Sequence, residues 1–536
     1  MRTGGKDAAE ALVLTAPPPG RTVLVIAGEF PPIKTIGRLR ATKFVEHLRD
    51  DGWTPIVLTI DAHPGIPGYD AALEAEVPAG IEIMRAPCPS IEARVVSAIK
   101  RLIGHPNASA GRDHNSDPRR LVRTADPTVS PRSVGSAGRT NGLAVSPVAG
   151  TMITAASAPP AATGSATVQR SPAALSANTR SPWHPRELTL GAFKWTLRNW
   201  IEVPDNYGSW ANRALALARQ LCRTRTVDLV FTTLPPFSAA KIGYRLKREF
   251  GIPWVVDYRD LWVGDVLREW VGPVRRRIER SLERRYMQAA DAIVAVSAQK
   301  TEFLKTHLPD SPALRETLTN GYDPEIFAPY LAEPRRPHDT IDFVFTGRLF
   351  KNRRGYAFAE ALGQLVERQP DLRTRVRVHI LGGVAPEIRA RYDEILTRYR
   401  ITEVYRFAGD IPYHQAMQAQ CHADYLLLIV DTGATSSGVI PGKLFEYVAA
   451  RRPIFALTDP GATQDIIERG NLGVAVPCES IDACRTALAQ CLAKPAPETV
   501  DARNDYLAQF DRRTISTRLA TLFTTLIERH SSGPWS

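Results

Sequence analysis

The chain has 536 residues, 44% hydrophobic and 23% charged, an ordinary globular composition with length for two or more domains. No apolar run approaches the ~18–20 residues of a membrane span. The net charge of +12 suits nucleic acid, anionic lipid or anionic substrates and does not choose among them.

The six cysteines show no CxxC pairing and read as buried or incidental thiols in a reducing compartment. Ala11 to Ala16 is too short for a span and lacks the basic lead and cleavage site of a signal peptide. The expected location is therefore the cytoplasm, with the inner face of a membrane as the other option. Residues 1–21 read as a tail.

Thr22 to Ala27 is a buried-type strand, followed by the loop GEFPPIKTIGR. Leu39 to Asp51 has helical spacing at Phe44, Val45 and Leu48, and Thr54 to Thr59 is a second strand. This is a βαβ unit, whose functional loop lies at the carboxyl end of the first strand. There, Gly28 and Gly37 either admit a ligand or simply serve turns. Ile81 to Pro87 continues as a strand and Ile91 to Ile103 as a helix. Gly104 to Pro182 is dominated by Ala, Ser, Thr, Pro, Gly and Arg without periodicity. It reads as a disordered insert, because α/β patterning resumes after it.

Trp183 to Trp210 mixes tryptophans with basic residues, which fits a membrane interface, a lipid-linked acceptor or a helix with large core residues. Leu229 to Thr233 and Trp254 to Asp257 are strands, with helices at Ala211–Cys222 and Ala239–Phe250. The second strand ends in Asp257, Arg259 and Asp260, and charges at such a strand end favour a site. Arg268 to Arg285 is a strongly basic helix, either a solvated face or a membrane surface. Ala292 to Val296 and Ala298 to His307 form another strand and helix.

A domain boundary is expected in the polar stretch Glu333 to Thr340, giving domains 22–335 and 336–505. Phe343 to Gly347 restarts the alternation, and Arg348, Lys351, Arg353 and Arg354 crowd the loop after it. Strands follow at Val376–Leu381, Tyr405–Ala408 and Ala423–Val430. Helices are expected at Tyr356–Gln369, Ala385–Arg400, His414–Gln420, Gly461–Arg469, Ile481–Ala493 and Tyr506–Arg529.

The richest stretch is VIPGKLFEYVAARRPIFAL, Val439 to Leu457. Pro441 fits the first position of a helix, Gly442 permits close approach of a ligand, and Lys443 adds a cation. Leu444, Phe445, Val448 and Ala449 give one buried face, and Arg451 and Arg452 suit the last turn. Such a helix start offers N–H groups to phosphates, while Glu446 can accept from a ribose diol. A plain surface helix packed on a sheet is the alternative. GVIPGKL is not a P-loop: Gly438 to Gly442 is one residue short, and Leu444 stands where magnesium would need Ser or Thr.

Taken with VLVIAGEFPP, DLVFTTLPPFSAAKIGYRLKREFGIPWVVDYRDLW, ADAIVAVS, LTNGYDPEIF, FVFTGRLFKN and HILGG, this stretch resembles the family 4 (group 1) retaining glycosyltransferases of the GT-B class. The match covers nearly everything except the first twenty residues and the 104–182 insert. It implies two Rossmann-like, doubly wound domains facing across a cleft, with the acceptor in the first and a nucleotide sugar in the second. It also implies a last helix, 506–536, that crosses back. No cofactor is expected: the family needs no bound metal, and the chain has no DxD pattern.

By resemblance, Arg348 takes the arginine position that neutralises the departing diphosphate. Lys351 or Arg353 takes the lysine position. Gly438, Val439, Ile440, Gly442, Lys443 and Glu446 would bind the donor, and Gly37, Asp257, Arg259 and Asp260 would line the substrate side. There are two departures. Gly438 stands where the family's first glutamate is usual, and Arg259 followed by Asp260 stands where many members carry histidine.

The expected activity is sugar transfer to a carbohydrate or lipid-linked acceptor in cell-surface polysaccharide or glycolipid synthesis. A GT-B nucleotide-sugar epimerase and a non-catalytic basic binding protein are the alternatives. Nucleic acid is not an expected partner, because no helix-turn-helix, zinc or RNP motif is present.

Overall fold

The computed structural model describes residues 20–35, 37–64, 66, 68–88, 203–265, 268, 270–335, 339–433, 436–493, 500 and 505–532, with the backbone of 122–124. The 1–19 tail, the expected helix at 91–103, most of the 104–182 insert and the aromatic-basic stretch before residue 203 lie outside the described residues. Inside the insert, Val122–Thr124 forms a short antiparallel strand beside residues 82–84.

Two sheets organise one compact unit. The first contains β1 (Arg21–Ile26), β2 (Trp53–Ile60), β3 (Glu82–Ala86), β4 (Val122–Thr124), β5 (Leu229–Leu234), β6 (Trp254–Tyr258), β7 (Ala292–Ala295) and β8 (Leu314–Thr317). Their order is β4-β3-β2-β1-β5-β6-β7-β8, parallel except at β4. The second contains β9 (Ile341–Thr346), β10 (Val376–Leu381), β11 (Tyr405–Gly409), β12 (Tyr425–Ile429), β13 (Ile454–Leu457) and β14 (Gly473–Val476), ordered β11-β10-β9-β12-β13-β14 and all parallel. Central strands such as LVFTTL and YLLLI are buried along their whole length, because helices cover both faces of each sheet.

Strand order reverses between β1 and β5 in the first sheet and between β9 and β12 in the second. At such points the outgoing loops part and leave a crevice at the carboxyl edge.

The chain crosses between sheets twice, and the two crossings bond to each other. Tyr322 N donates to Phe510 O at 3.0 Å, and Arg512 N donates to Tyr322 O at 3.1 Å. The helix Arg512–Ser532 then packs against the first sheet, burying Ile515, Leu519 and Phe523 beside Val23, Phe44 and Phe231. The single helix expected over 506–529 is therefore broken at this crossing, into Asp505–Ala508 and Arg512–Ser532. Among the described residues, no helix is long and apolar enough to cross a membrane.

The edge strands β8 and β14 and the Pro324–Ala332 helix escape the sequence reading. LRET and GVAV are four-residue, half-buried segments without a distinctive period.

Asp257 corrects an expectation. It is fully buried, and Arg40 grips it through Nη2 at 2.8 Å while Thr233 Oγ1 donates to it at 2.8 Å. Arg40 also donates to the carbonyls of Leu318 and Thr319 at 2.8 and 2.6 Å. The carboxylate thus ties the first helix, β5 and the segment after β8 together and is spent on the fold. Asp257→Ala leaves Arg40 buried without its counter-charge. It is expected to cost about 3–5 kcal/mol in urea denaturation, largely regained when Arg40→Met is added to Asp257→Leu. A loss below about 1 kcal/mol, the range of a surface pair, contradicts this role.

Candidate active site

The helix Gly442–Ala450 leaves the crevice between β9 and β12. Pro441 is extended (ψ 137°) and occupies the cap position rather than the first turn, so Gly442 opens the helix. No side chain caps this end, and Gly442 is exposed, so the first amides face the crevice with the positive end of the helix dipole. At the other end Arg451 is the left-handed cap (φ 55°), and Arg452 is buried, its Nε donating to Cys421 O at 2.7 Å. The sequence places both arginines in the last turn; the helix ends at Ala450, before either of them.

Glu446 lies one turn inside. Lys443 Nζ donates to its Oε2 at 2.8 Å, and Gln420 Nε2 donates to the same oxygen at 3.0 Å. Gln420 is itself steadied by Thr346 Oγ1 at 2.9 Å, and Thr346 N donates to Tyr447 Oη at 3.0 Å. The carboxylate is thus oriented before any ligand arrives, with Oε1 left to accept from one. Tyr413 stands exposed beside it, its ring 5.9 Å from Lys443 Nζ.

The loop after β9 supplies the other cations. Arg348 is 74% exposed and only loosely paired with Asp410 at 3.5 Å. Lys351 is exposed. Arg353 is half-buried, and its Nη2 donates to Asp431 at 2.9 Å. Thr432 N donates to Asn352 O at 2.8 Å, so this loop is fastened to the loop that leads into Gly442. Of the two residues left open for the lysine position, Arg353 is occupied by Asp431 and Lys351 reaches solvent.

On the first sheet, Gly37 makes room for side chains. A Cβ there would lie 1.5 Å from Arg259 Nη1 and 2.0 Å from Glu29 Oε2, which pair with each other at 2.6 Å. Arg259 is buried and also donates to the carbonyls of Leu234 and Pro235, so its guanidinium is engaged on several sides. The expectation that Gly37, Asp257 and Arg259 all meet a substrate gives way to a supporting framework. Asp260, half-exposed and 3.5 Å from Lys300 Nζ, is the member of the cluster that reaches solvent.

The two edges touch at the start of the helix that follows β7, where Gln299 Nε2 donates to Asp465 Oδ2 at 3.2 Å. Ser297, just past β7, donates from Oγ to Gly438 O at 2.8 Å and caps the helix Ala298–His307. Thr463 Oγ1 donates to Val439 O at 2.7 Å on the other side of the same loop, which continues through the half-buried Ile440. A Cβ at 438 would meet Lys300 Cγ at 3.3 Å and Ser297 Oγ at 3.5 Å. Glycine here keeps the approach between the two edges close. Ser297, Lys300, Thr346, Gln420 and Tyr447 have no sequence signature of their own. Only ADAIVAVS, read as a strand, pointed toward Ser297.

Burial raises the pKa of all six thiols, Cys222 to about 11 and Cys421 and Cys478 to about 12. They are not activated nucleophiles. What the crevice can do is hold an anion between helix amides and side-chain cations, with an oriented carboxylate for a hydroxyl pair.

Two family models match the chain: a Glycosyl transferase 4-like domain at residues 149–321 and Glycosyl transferases group 1 at residues 340–494. A D-inositol 3-phosphate glycosyltransferase of Kribbella flavida is 28% identical over 230 residues, 40% of this chain and 51% of the relative. The chain spans about half the length of the curated relatives it matches. Among solved structures it is similar to sucrose-phosphate synthase of Thermosynechococcus elongatus, with 14% identity, 95% and 100% of the two chains covered and a TM-score of 0.55. It is also similar to Anabaena HepE in complex with UDP and glucose, with 13% identity, 94% and 100% covered and a TM-score of 0.52. These likenesses show the two-sheet GT-B fold.

Restoring a glutamate at position 438 should not restore a donor contact. Gly438→Glu is expected to push the loop off Ser297 and lower the melting free energy by about 1–3 kcal/mol, as overpacking does. A variant as stable as the parent, with tighter nucleotide binding by calorimetry, contradicts the reading that glycine is kept for the interdomain contact.

Proposed function

The chain belongs to the family 4-like, group 1 glycosyltransferases of the GT-B fold class, and on that footing we propose that it moves a sugar from a nucleoside diphosphate sugar to an acceptor hydroxyl. The proposal includes retention at the sugar carbon, independence of a metal, and a carbohydrate or lipid-linked acceptor in cell-surface polysaccharide or glycolipid synthesis. The observation that carries it is the uncapped helix start at Gly442, with Lys443 and the oriented Glu446, beside the exposed cations Arg348 and Lys351.

In this reading the amides of Gly442 and Lys443 and the Lys443 ammonium take the diphosphate. Glu446 Oε1 accepts from the ribose. The bond from the sugar carbon to the diphosphate oxygen breaks, a bond to the acceptor oxygen forms, and the acceptor proton leaves with the diphosphate. Negative charge grows on the departing group, so fixed cations lower the barrier more than they tighten the ground state. The relatives named for D-inositol 3-phosphate make a polyol acceptor a reasonable first choice for assay.

With a donor found by screening nucleotide sugars for thermal stabilisation and product mass, Arg348→Ala is expected to lower kcat by about 10²–10³-fold with a smaller change in donor KM. Turnover is expected to survive EDTA, and Glu446→Gln to weaken nucleotide binding without loss of fold. Near-normal turnover in Arg348→Ala shows that Arg348 only pairs with Asp410 at the surface, worth at most about 1 kcal/mol.

A further inference from the structure

We infer that the outer face of the Pro273–Met287 helix docks on an anionic lipid bilayer. This helix, PVRRRIERSLERRYM, carries six arginines and two glutamates. Both glutamates turn inward. Glu279 is buried against Arg275 at 2.7 Å and Arg268 at 2.5 Å. Glu283 is buried against Tyr258 Oη at 3.0 Å and His307 Nε2 at 2.9 Å. Arg275 is buried with its glutamate. Five guanidiniums, Arg276, Arg277, Arg280, Arg284 and Arg285, are left lining one open groove on the outside. No carboxylate of the helix shares that face. Arg277, Arg280 and Arg284 form no ion pair with a described residue.

Apolar groups run beside the arginines. Five large hydrophobic side chains stand out as exposed among the described residues, and three of them belong here: Trp270 at 56%, Val274 at 59% and Ile278 at 45%. They are spaced four apart, so Val274 and Ile278 sit one turn apart along one flank of the groove. Trp270 lies just before the helix, its ring 5.3 Å from the Arg275 guanidinium.

A merely solvated face would mix charge signs and shed its apolar side chains. A stripe of tryptophan, valine and isoleucine flanked by a row of exposed arginines, among them Arg277, Arg280 and Arg284, matches a bilayer surface. The apolar groups reach into the boundary between headgroups and acyl chains, while the guanidiniums meet lipid phosphates. This docking stands or falls apart from the transfer reaction.

The test is co-sedimentation of the full chain with vesicles. Binding is expected to phosphatidylcholine vesicles containing phosphatidylglycerol, not to phosphatidylcholine alone, and to fall as salt rises. Arg280→Glu with Arg284→Glu is expected to reduce partitioning about tenfold or more. Trp270→Ala with Ile278→Ser, which changes no charge, is expected to reduce it by a similar factor. All four residues are exposed, so melting temperatures should match the parent; where a pair lowers them, the single variants are compared and about threefold losses are expected. The inference is overturned if the parent ignores anionic vesicles. It is overturned equally if neither pair weakens binding, if only the charge pair does, or if the face binds duplex DNA or an acidic peptide in place of vesicles.

Discussion

A parallel sheet sends every strand out at one edge, and the site depends on that constraint. Burial on both faces drives the chain into such sheets, and the helices that cover them must return to the opposite edge before each new strand. Where strand order reverses, two neighbouring loops leave in opposite directions and cannot cover the gap between them. In the second sheet these are the loops after β9 and β12. One brings Arg348 and Lys351, the other the start of the Gly442–Ala450 helix, and Arg353 with Asp431 holds them together. The crevice follows from strand order, and its chemistry follows from a few side chains in two loops.

Charged groups near the two edges divide by burial into different roles. Asp257, Arg259 and Arg40 are satisfied by protein partners and fix loop positions. Removing one member of such a set costs more than the set contributes, because the remaining charge is left dry. Arg348 and Lys351 keep their exposure and have little to lose in stability. Glu446 lies between, oriented through one oxygen and open at the other. Gly438 joins the two edges, since its carbonyl accepts from Ser297 where a larger residue would crowd Lys300.

Much of this was legible in the sequence, for physical reasons. Strands buried on both faces read as unbroken apolar runs, so β1, β5, β6, β9 and β12 were visible. Pro441 and Gly442 marked a helix start, though Pro441 proved to be the cap. Edge strands β8 and β14 were not visible, because half-buried four-residue segments carry too little pattern. Asp257 shows the limit at the site. A carboxylate at a strand end looks the same in sequence whether it faces a ligand or an arginine 217 positions away. Gln420 and Ser297 act through contacts 26 and 141 residues distant, which no local spacing reports.

The most direct measurement is amide hydrogen exchange with and without a nucleoside diphosphate, beginning with UDP, which HepE of Anabaena carries in the same fold. Slowed exchange is expected at the first amides of the Gly442–Ala450 helix and in the loop from Gly347 to Arg354, with little change around the buried Arg40 and Asp257. Protection confined to the first sheet, or none from UDP, GDP or ADP at saturating concentration, would contradict a diphosphate site at this crevice.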